Sequence, residues 1–172
     1  LVKSAPNDSE ETRLARAKLA DSLILLSQGI TDMQFGQEFL RTKGGNGNSY
    51  NAGDAVNAID WNRTVEQAGS VNYVKGLIAL RKSIKKLHLS SYDDIAKNMT
   101  VLQQSDGVVA YQLKDGSDTY VVVFNANESA ATVEAVPAGK YTVLAADGKV
   151  TQTQDKNAAT TVGADGYRAG AL

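Results

Sequence analysis

The stretch Gly36–Asn51, GQEFLRTKGGNGNSYN, is too long and too polar for a simple turn. It opens on a carboxylate behind an apolar run, passes through two cations and a glycine-rich part, and ends in Asn-Ser-Tyr-Asn. Just before it, Ile30-Thr31-Asp32-Met33-Gln34-Phe35 alternates apolar and polar residues, which predicts a short strand. The stretch would then rise from the C-terminal end of a strand, where α/β folds place binding and chemistry.

Working outward, Asn7-Asp8-Ser9-Glu10-Glu11 reads as a helix start. Asp8 or Ser9 supplies the cap, Glu11 completes a capping-box-like pair, and both glutamates suit the positive end of the helix. The helix is expected to run to Ser27 or Gln28 and to end on a left-handed Gly29. Its second half, Leu23-Ile24-Leu25-Leu26, is apolar on every side and calls for burial. Downstream of the loop, a second helix is expected over 70–86. Val71, Val74, Leu77, Ile78, Ile84 and Leu87 mark its buried face, and Arg81, Lys82, Lys85 and Lys86 read as its solvated side.

The pattern changes after Ser90. Strands are predicted at 99–103, 108–113, 119–125, 131–136 and 140–144, with edge pieces at 160–162 and 167–168. Asp106-Gly107, Asp115-Gly116, Ala138-Gly139, Asp147-Gly148 and Asp165-Gly166 are the turns between them. This is the pattern of an antiparallel sandwich that closes on itself. Its aromatics, Tyr92, Tyr111, Tyr120, Phe124, Tyr141 and Tyr167, fall mostly at core-facing strand positions. Residues 1–90, by contrast, hold too few elements to bury their own apolar faces. Leu23–Leu26 and the Val74, Leu77, Ile78 face should therefore be sticky. That mismatch, and a start at Leu1, suggest a piece of a longer chain.

Composition narrows the chemistry. The net charge of −1 gives no bulk attraction to nucleic acid or anionic lipid, and no apolar run approaches the roughly 20 residues of a membrane span. With no cysteine and one histidine, thiolate zinc sites, cysteine nucleophiles and multi-histidine metal sites are excluded. His88, after Lys85-Lys86-Leu87, reads as an imidazole at a helix C-terminus, and Asp93-Asp94 as a turn or helix cap.

Four segments in order, Leu25-Leu26-Ser27-Gln28-Gly29-Ile30, Gly36–Lys43, Asn48-Ser49-Tyr50-Asn51 and Ile59-Asp60-Trp61, resemble bacterial type I pullulanases of the α-amylase clan of glycoside hydrolases. The match runs over about residues 7–84; beyond Ser90 it rests on position and β character. The chain departs from the family at Thr31, Asp32 and Gln34-Phe35, where the family has a proline, an apolar residue and His-Ala.

The resemblance implies an α+β composite. Residues 1–90 would be the C-terminal end of a (β/α)8 catalytic barrel, with 30–35 its last strand and 70–86 its last helix. Residues 91–172 would be an all-β C-terminal sandwich domain. It implies a longer parent that hydrolyses α-1,6 bonds of pullulan or branched starch and glycogen by double displacement with retention. The catalytic carboxylates of the family lie upstream of the matching series, so none is assigned here and this chain alone is expected to be inactive.

The loop would form part of the cleft rim. Arg41, Lys43, Asn48, Tyr50 and Asn51 are the expected sugar contacts, because hydroxyl-rich ligands need donors, amides and flat rings. Glu38 is expected to accept from a hydroxyl or, as a supporting residue, to hold Arg41 in place, and Trp61 to pack into the core at the end of the loop. No cofactor is expected, and a calcium ion of the parent is not assignable to residues here. The expected partners are α-glucan and the remainder of the same enzyme, with no nucleic acid and no membrane insertion. A secreted or cell-surface location is expected ahead of a cytoplasmic one. The competing readings are a non-catalytic carbohydrate-binding module built on 91–172, or a fragment of an isoamylase or branching enzyme.

Overall fold

The computed structural model describes residues 1–151 and 159–172. Helix α1 spans Glu10–Leu26 and starts on Ser9, whose Oγ accepts from the Thr12 amide at 3.0 Å. Short helices α2 (Asp54–Asn57) and α3 (Arg63–Glu66) lead into α4 (Ala68–Ser83). Helix α5 (Tyr92–Asn98) follows, capped by Ser91, with Asp93 and Asp94 in its first turn where acids suit the dipole.

Strands β1 (Met99–Ser105), β2 (Val108–Asp115) and β3 (Asp118–Asn125) form an antiparallel meander. The β1–β2 connection is a two-residue turn, Asp106-Gly107, with φ of 53° and 73°. Two successive positive φ values define the hairpin turn whose twist matches its strands, which is why glycine follows aspartate there. Six short strands follow among the described residues: β4 (Ala131–Val133), β5 (Gly139–Thr142), β6 (Ala145–Ala146), β7 (Lys149–Val150), β8 (Ala159–Val162) and β9 (Tyr167–Ala169). They pair as β4 with β9, β5 with β8 and β6 with β7, all antiparallel. The turn expected at Ala138-Gly139 instead contributes Gly139 to β5.

Alternation along the meander sends side chains to two cores. Tyr111, Leu113, Tyr120, Val122 and Phe124 meet Leu25, Leu26, Val74 and Leu77 of the two long helices. Val108, Ala110, Val121 and Val123 on the opposite face meet Val133, Val136 and Val162. The β region is therefore not closed on itself. One face of its sheet is covered by α1 and α4, and the expected sticky seam shrinks accordingly. Leu25, Leu26, Val74 and Leu77 are buried, while Leu23 and Ile78 stay partly open.

Two further expectations are corrected. Residues 30–35 form no strand: 30–34 carry no regular structure and Phe35 begins a turn, with Ile30 fully exposed and Phe35 more than half exposed. A strand exists only with a ladder partner, and no strand pairs with this segment among the described residues. Arg81 is not on a solvated face. It is buried, and its guanidinium donates to the carbonyls of Leu25 (2.8 Å), Ser27 (2.6 Å) and Gly29 (2.8 Å). The Tyr111 hydroxyl donates to Leu26. The orphan carbonyls at the end of α1 are thus satisfied by side chains rather than by the left-handed glycine cap expected at Gly29. Gly29 does have φ +92°, but Ser27 is the C-cap residue, so the glycine sits beyond the capping position.

Candidate functional site

The loop after residues 30–35 is held by its own side chains. Gly36, at φ +89°, turns the chain into a single 3-10 turn over Gln37–Phe39. The Arg41 amide returns to the Gly36 carbonyl at 2.9 Å. A Cβ on Gly36 would lie 2.8 Å from the Arg41 Cβ, so only glycine closes this turn. Phe39 is pulled inside, 1% exposed, and Leu40 takes a left-handed φ of 55° to send the chain outward.

Four side-chain bonds then hold the loop. Arg41 Nη2 donates to the Asn57 carbonyl at 2.5 Å, and Arg63 Nη2 to the Leu40 carbonyl at 2.8 Å. Lys43 Nζ donates to Ser49 Oγ at 2.7 Å, and Asn57 Nδ2 to the Ser49 carbonyl at 2.6 Å. Ser49 is buried beneath them. The Asn46 side chain accepts from the Asn48 amide at 3.0 Å, closing the glycine-rich part.

The residues singled out in the sequence therefore divide. Arg41 and Lys43 are half-buried and engaged inside the loop. Asn48, Tyr50 and Asn51 are exposed, Tyr50 at 83%, and the side-chain amides of Asn48 and Asn51 make no hydrogen bond among the described residues. Glu38 does not hold Arg41: it makes no ion pair among the described residues. Trp61 is not core either. It is 62% exposed and packs its ring against Phe35 and Phe39. Sequence reading missed Ser49, Asn57 and Arg63 as the loop's staples. Their polar character is ordinary for a loop, and only the fold shows that their partners are backbone carbonyls and a buried hydroxyl.

Beneath the loop lies a buried acid. Asp21 on α1 is 1% exposed; its Oδ1 accepts from Gln37 Nε2 at 2.5 Å and its Oδ2 has no partner. Loss of solvent raises its pKa, the Gln37 bond opposes the rise, and the Glu38 charge adds to it. On α4, Tyr73 is shifted up by burial, and its hydroxyl pairs with Ser22 Oγ at 2.7 Å. Elsewhere, an open depression of about 400 Å³ lies beside Thr31 and Met33. It is lined by Leu25, Thr31, Met33, Ile78, Arg81, Lys82 and His88, with no carboxylate among them. It offers apolar surface and positive charge, but no acid and base for hydrolysis.

The family model for "Pullulanase, all-beta domain" matches residues 95–149, from within α5 through β7. The pullulanase of Bacillus subtilis (strain 168) is 37% identical over 110 residues, 64% of this chain and 15% of that protein. This chain is pullulanase-like. The isoamylase of Flavobacterium sp is 33% identical over 124 residues, 72% of the chain and 15% of that protein. Among solved structures, the pullulanase from Bacillus acidopullulyticus superposes with a TM-score of 0.87 at 32% identity, covering 99% of this chain and 21% of that one. The Paenibacillus barengoltzii pullulanase, solved in complex with maltohexaose and α-cyclodextrin, gives 0.77 at 36% identity, covering 84% and 23%. The names are those of debranching glycoside hydrolases. The pullulanase-like chain spans about a seventh of the curated relatives and under a quarter of these solved ones.

Proposed function

We propose that the chain is the C-terminal part of an α-glucan debranching enzyme that hydrolyses α-1,6 bonds of pullulan or branched starch and glycogen with retention. Residues 1–90 end its catalytic barrel, and 91–172 form its β domain. The enzyme is secreted or displayed at the cell surface.

The observation that carries this reading is the loop. Its two cations and buried serine are engaged internally, so the tip is fixed and Asn48, Tyr50 and Asn51 face outward. Amides that donate and accept, beside a ring with a polar tip, suit a neutral polyhydroxyl ligand. Retaining hydrolysis needs two carboxyls about 5 Å apart flanking the bond. Among the described residues the one deeply buried carboxyl, Asp21, sits against Gln37 at the start of the loop. The catalytic acids therefore come from the rest of the enzyme, and this chain alone does not hydrolyse glucan.

The test is reducing-sugar release from pullulan by the longer enzyme and by this chain at equal molarity. The reading expects release by the first and none by the second. Hydrolysis by the chain itself overturns it, as does a longer enzyme that releases nothing from any branched α-glucan.

A further inference from the structure

We propose that Asp21 is a positioning residue: from inside helix α1 its carboxyl fixes Gln37 and thereby aims the Gly36–Asn51 loop at substrate. This rests on the glucan reading above and adds how the loop is held for it. The carboxyl is 1% exposed, and its one hydrogen bond among the described residues is the 2.5 Å contact from Gln37 Nε2. Helix α4 packs against both α1 and the Gln37–Phe39 turn. A group buried within these residues stays buried when more chain surrounds them, so the contact does not depend on the rest of the enzyme.

Stability does not account for an acid at this point. A buried carboxyl loses its hydration, and Oδ2 has no partner among the described residues to offset the loss. One turn further along the same helix stands Leu25, buried in the apolar core. An apolar side chain at position 21 would extend that core without desolvating a charge. What the carboxyl supplies is an acceptor at a fixed point on a helix, and the donor that meets it is the first residue of the turn.

From Gln37 a continuous set of bonds leads toward the tip. The Gln37 carbonyl accepts from the Leu40 amide at 3.0 Å, and the Gly36 carbonyl from the Arg41 amide at 2.9 Å. Arg41 donates to the Asn57 carbonyl, and the Asn57 side chain donates to the Ser49 carbonyl. Ser49 stands between Asn48 and Tyr50 in the chain. The turn has little slack, because Gly36 is buried and a Cβ on it would meet the Arg41 side chain. Adjacent bonds do not by themselves transmit an effect, so the test measures the coupling.

The experiment compares the 172-residue chain with Asp21→Ala, Gln37→Ala, the double variant and Asp21→Asn by amide hydrogen exchange, each checked for folding by circular dichroism. The proposal expects the Phe39, Leu40 and Arg41 amides to exchange about ten-fold faster in either alanine variant and no faster still in the double variant. Asp21→Asn keeps an oxygen that accepts from Gln37 and should stay near the parent rate. Amides of β2 should keep their rates in all four. Should Asp21→Ala fail to fold, Gln37→Ala decides alone, since it removes a half-buried side chain from the other side of the contact. In the longer enzyme, either alanine variant should raise the KM for pullulan about five-fold with kcat within about two-fold, and Asp21→Asn should restore it. Unchanged exchange in the turn would mean that the buried Phe39 ring holds it without the carboxyl, and overturns the proposal. Equal acceleration throughout the chain, or a loosened turn with an unchanged KM, would mean that the contact serves the fold only, and also overturns it. A longer enzyme that hydrolyses no glucan defeats the wider reading instead, and the exchange rates then judge the Asp21 anchor by themselves.

Discussion

The guanidinium of Arg81 donates to the carbonyl oxygen of Gly29 at 2.8 Å, tying helix α4 to the residue from which the 30–35 segment departs. The same group holds Leu25 and Ser27, so one side chain sets both the end of α1 and the direction of the chain toward the loop. Lysine cannot reproduce this, because the fork of donors is what spans three carbonyls. Arg81→Lys and Arg81→Ala should each destabilise the chain by about 2–4 kcal/mol, given the worth of charge-assisted bonds and the carbonyls left unpaired. Urea unfolding measures the loss. A change below about 0.5 kcal/mol would mean that the clamp contributes nothing to stability.

Asp21 gives the chain a pH dependence of defined sign. Its pKa is raised in the folded state, first by burial, so the folded chain holds the proton more tightly than the unfolded one. Stability attributable to Asp21 is therefore greatest below the ordinary aspartate range near pH ~4, and falls as pH rises from there through the raised folded value. Asp21→Asn should remove that fall and be at least as stable as the parent chain at pH 7. Thermal melts of both proteins between pH 4 and 7 decide it. A variant that loses stability at pH 7, with the same pH profile, refutes the assignment.

How far the sequence foretold these features depends on where their partners lie. Helices α1 and α4, Ser9 as a cap and the hairpins at Asp106-Gly107 and Asp147-Gly148 were legible because local periodicity and turn chemistry determine them. The loop was legible as a long polar element from its composition. The inner work of Arg41 and Lys43 was not, because a cation bound to a carbonyl or a buried hydroxyl has the same sequence signature as one facing a ligand. Arg81 misled for the same reason: at helical spacing with Lys82 and Lys85 it reads as a solvated face, and only the ending of α1 against it reveals the clamp. The segment 30–35 alternates like a strand, yet strand formation is a property of a pair.

Gly76 on α4 lies directly against Val150 of the β6–β7 hairpin. A Cβ there would sit 2.7 Å from the Val150 Cβ, a branch point that cannot swing away. Helix propensity favours alanine by about 1 kcal/mol, while overpacking of this kind costs about 1–3 kcal/mol. Gly76→Ala should therefore lower stability by about 1 kcal/mol on balance, and Val150→Ala in the same background should restore it. A simple gain in stability from Gly76→Ala would show that the hairpin does not press on α4.

Leu77 is fully buried where α4 meets the meander, in one cluster with Tyr111, Leu113 and Phe124. Leu77→Ala should cost about 2–5 kcal/mol, the range for a large-to-small change in a core. Because the cluster joins helices and sheet, far-ultraviolet dichroism and tyrosine near-ultraviolet signals should melt together, at a lower temperature than in the parent chain. Separate transitions for helix and sheet would contradict a shared core.

The central claim is that the Gly36–Asn51 loop, stapled from within, presents its tip to α-glucan. The most direct measurement is steady-state pullulan hydrolysis by the longer enzyme carrying Asn48→Ala, Tyr50→Ala and Asn51→Ala together. The account predicts a KM raised about ten-fold or more, with kcat within a few-fold and the fold unchanged by circular dichroism. An unchanged KM would contradict it, and would leave the loop a structural feature of the enzyme with no part in holding its substrate.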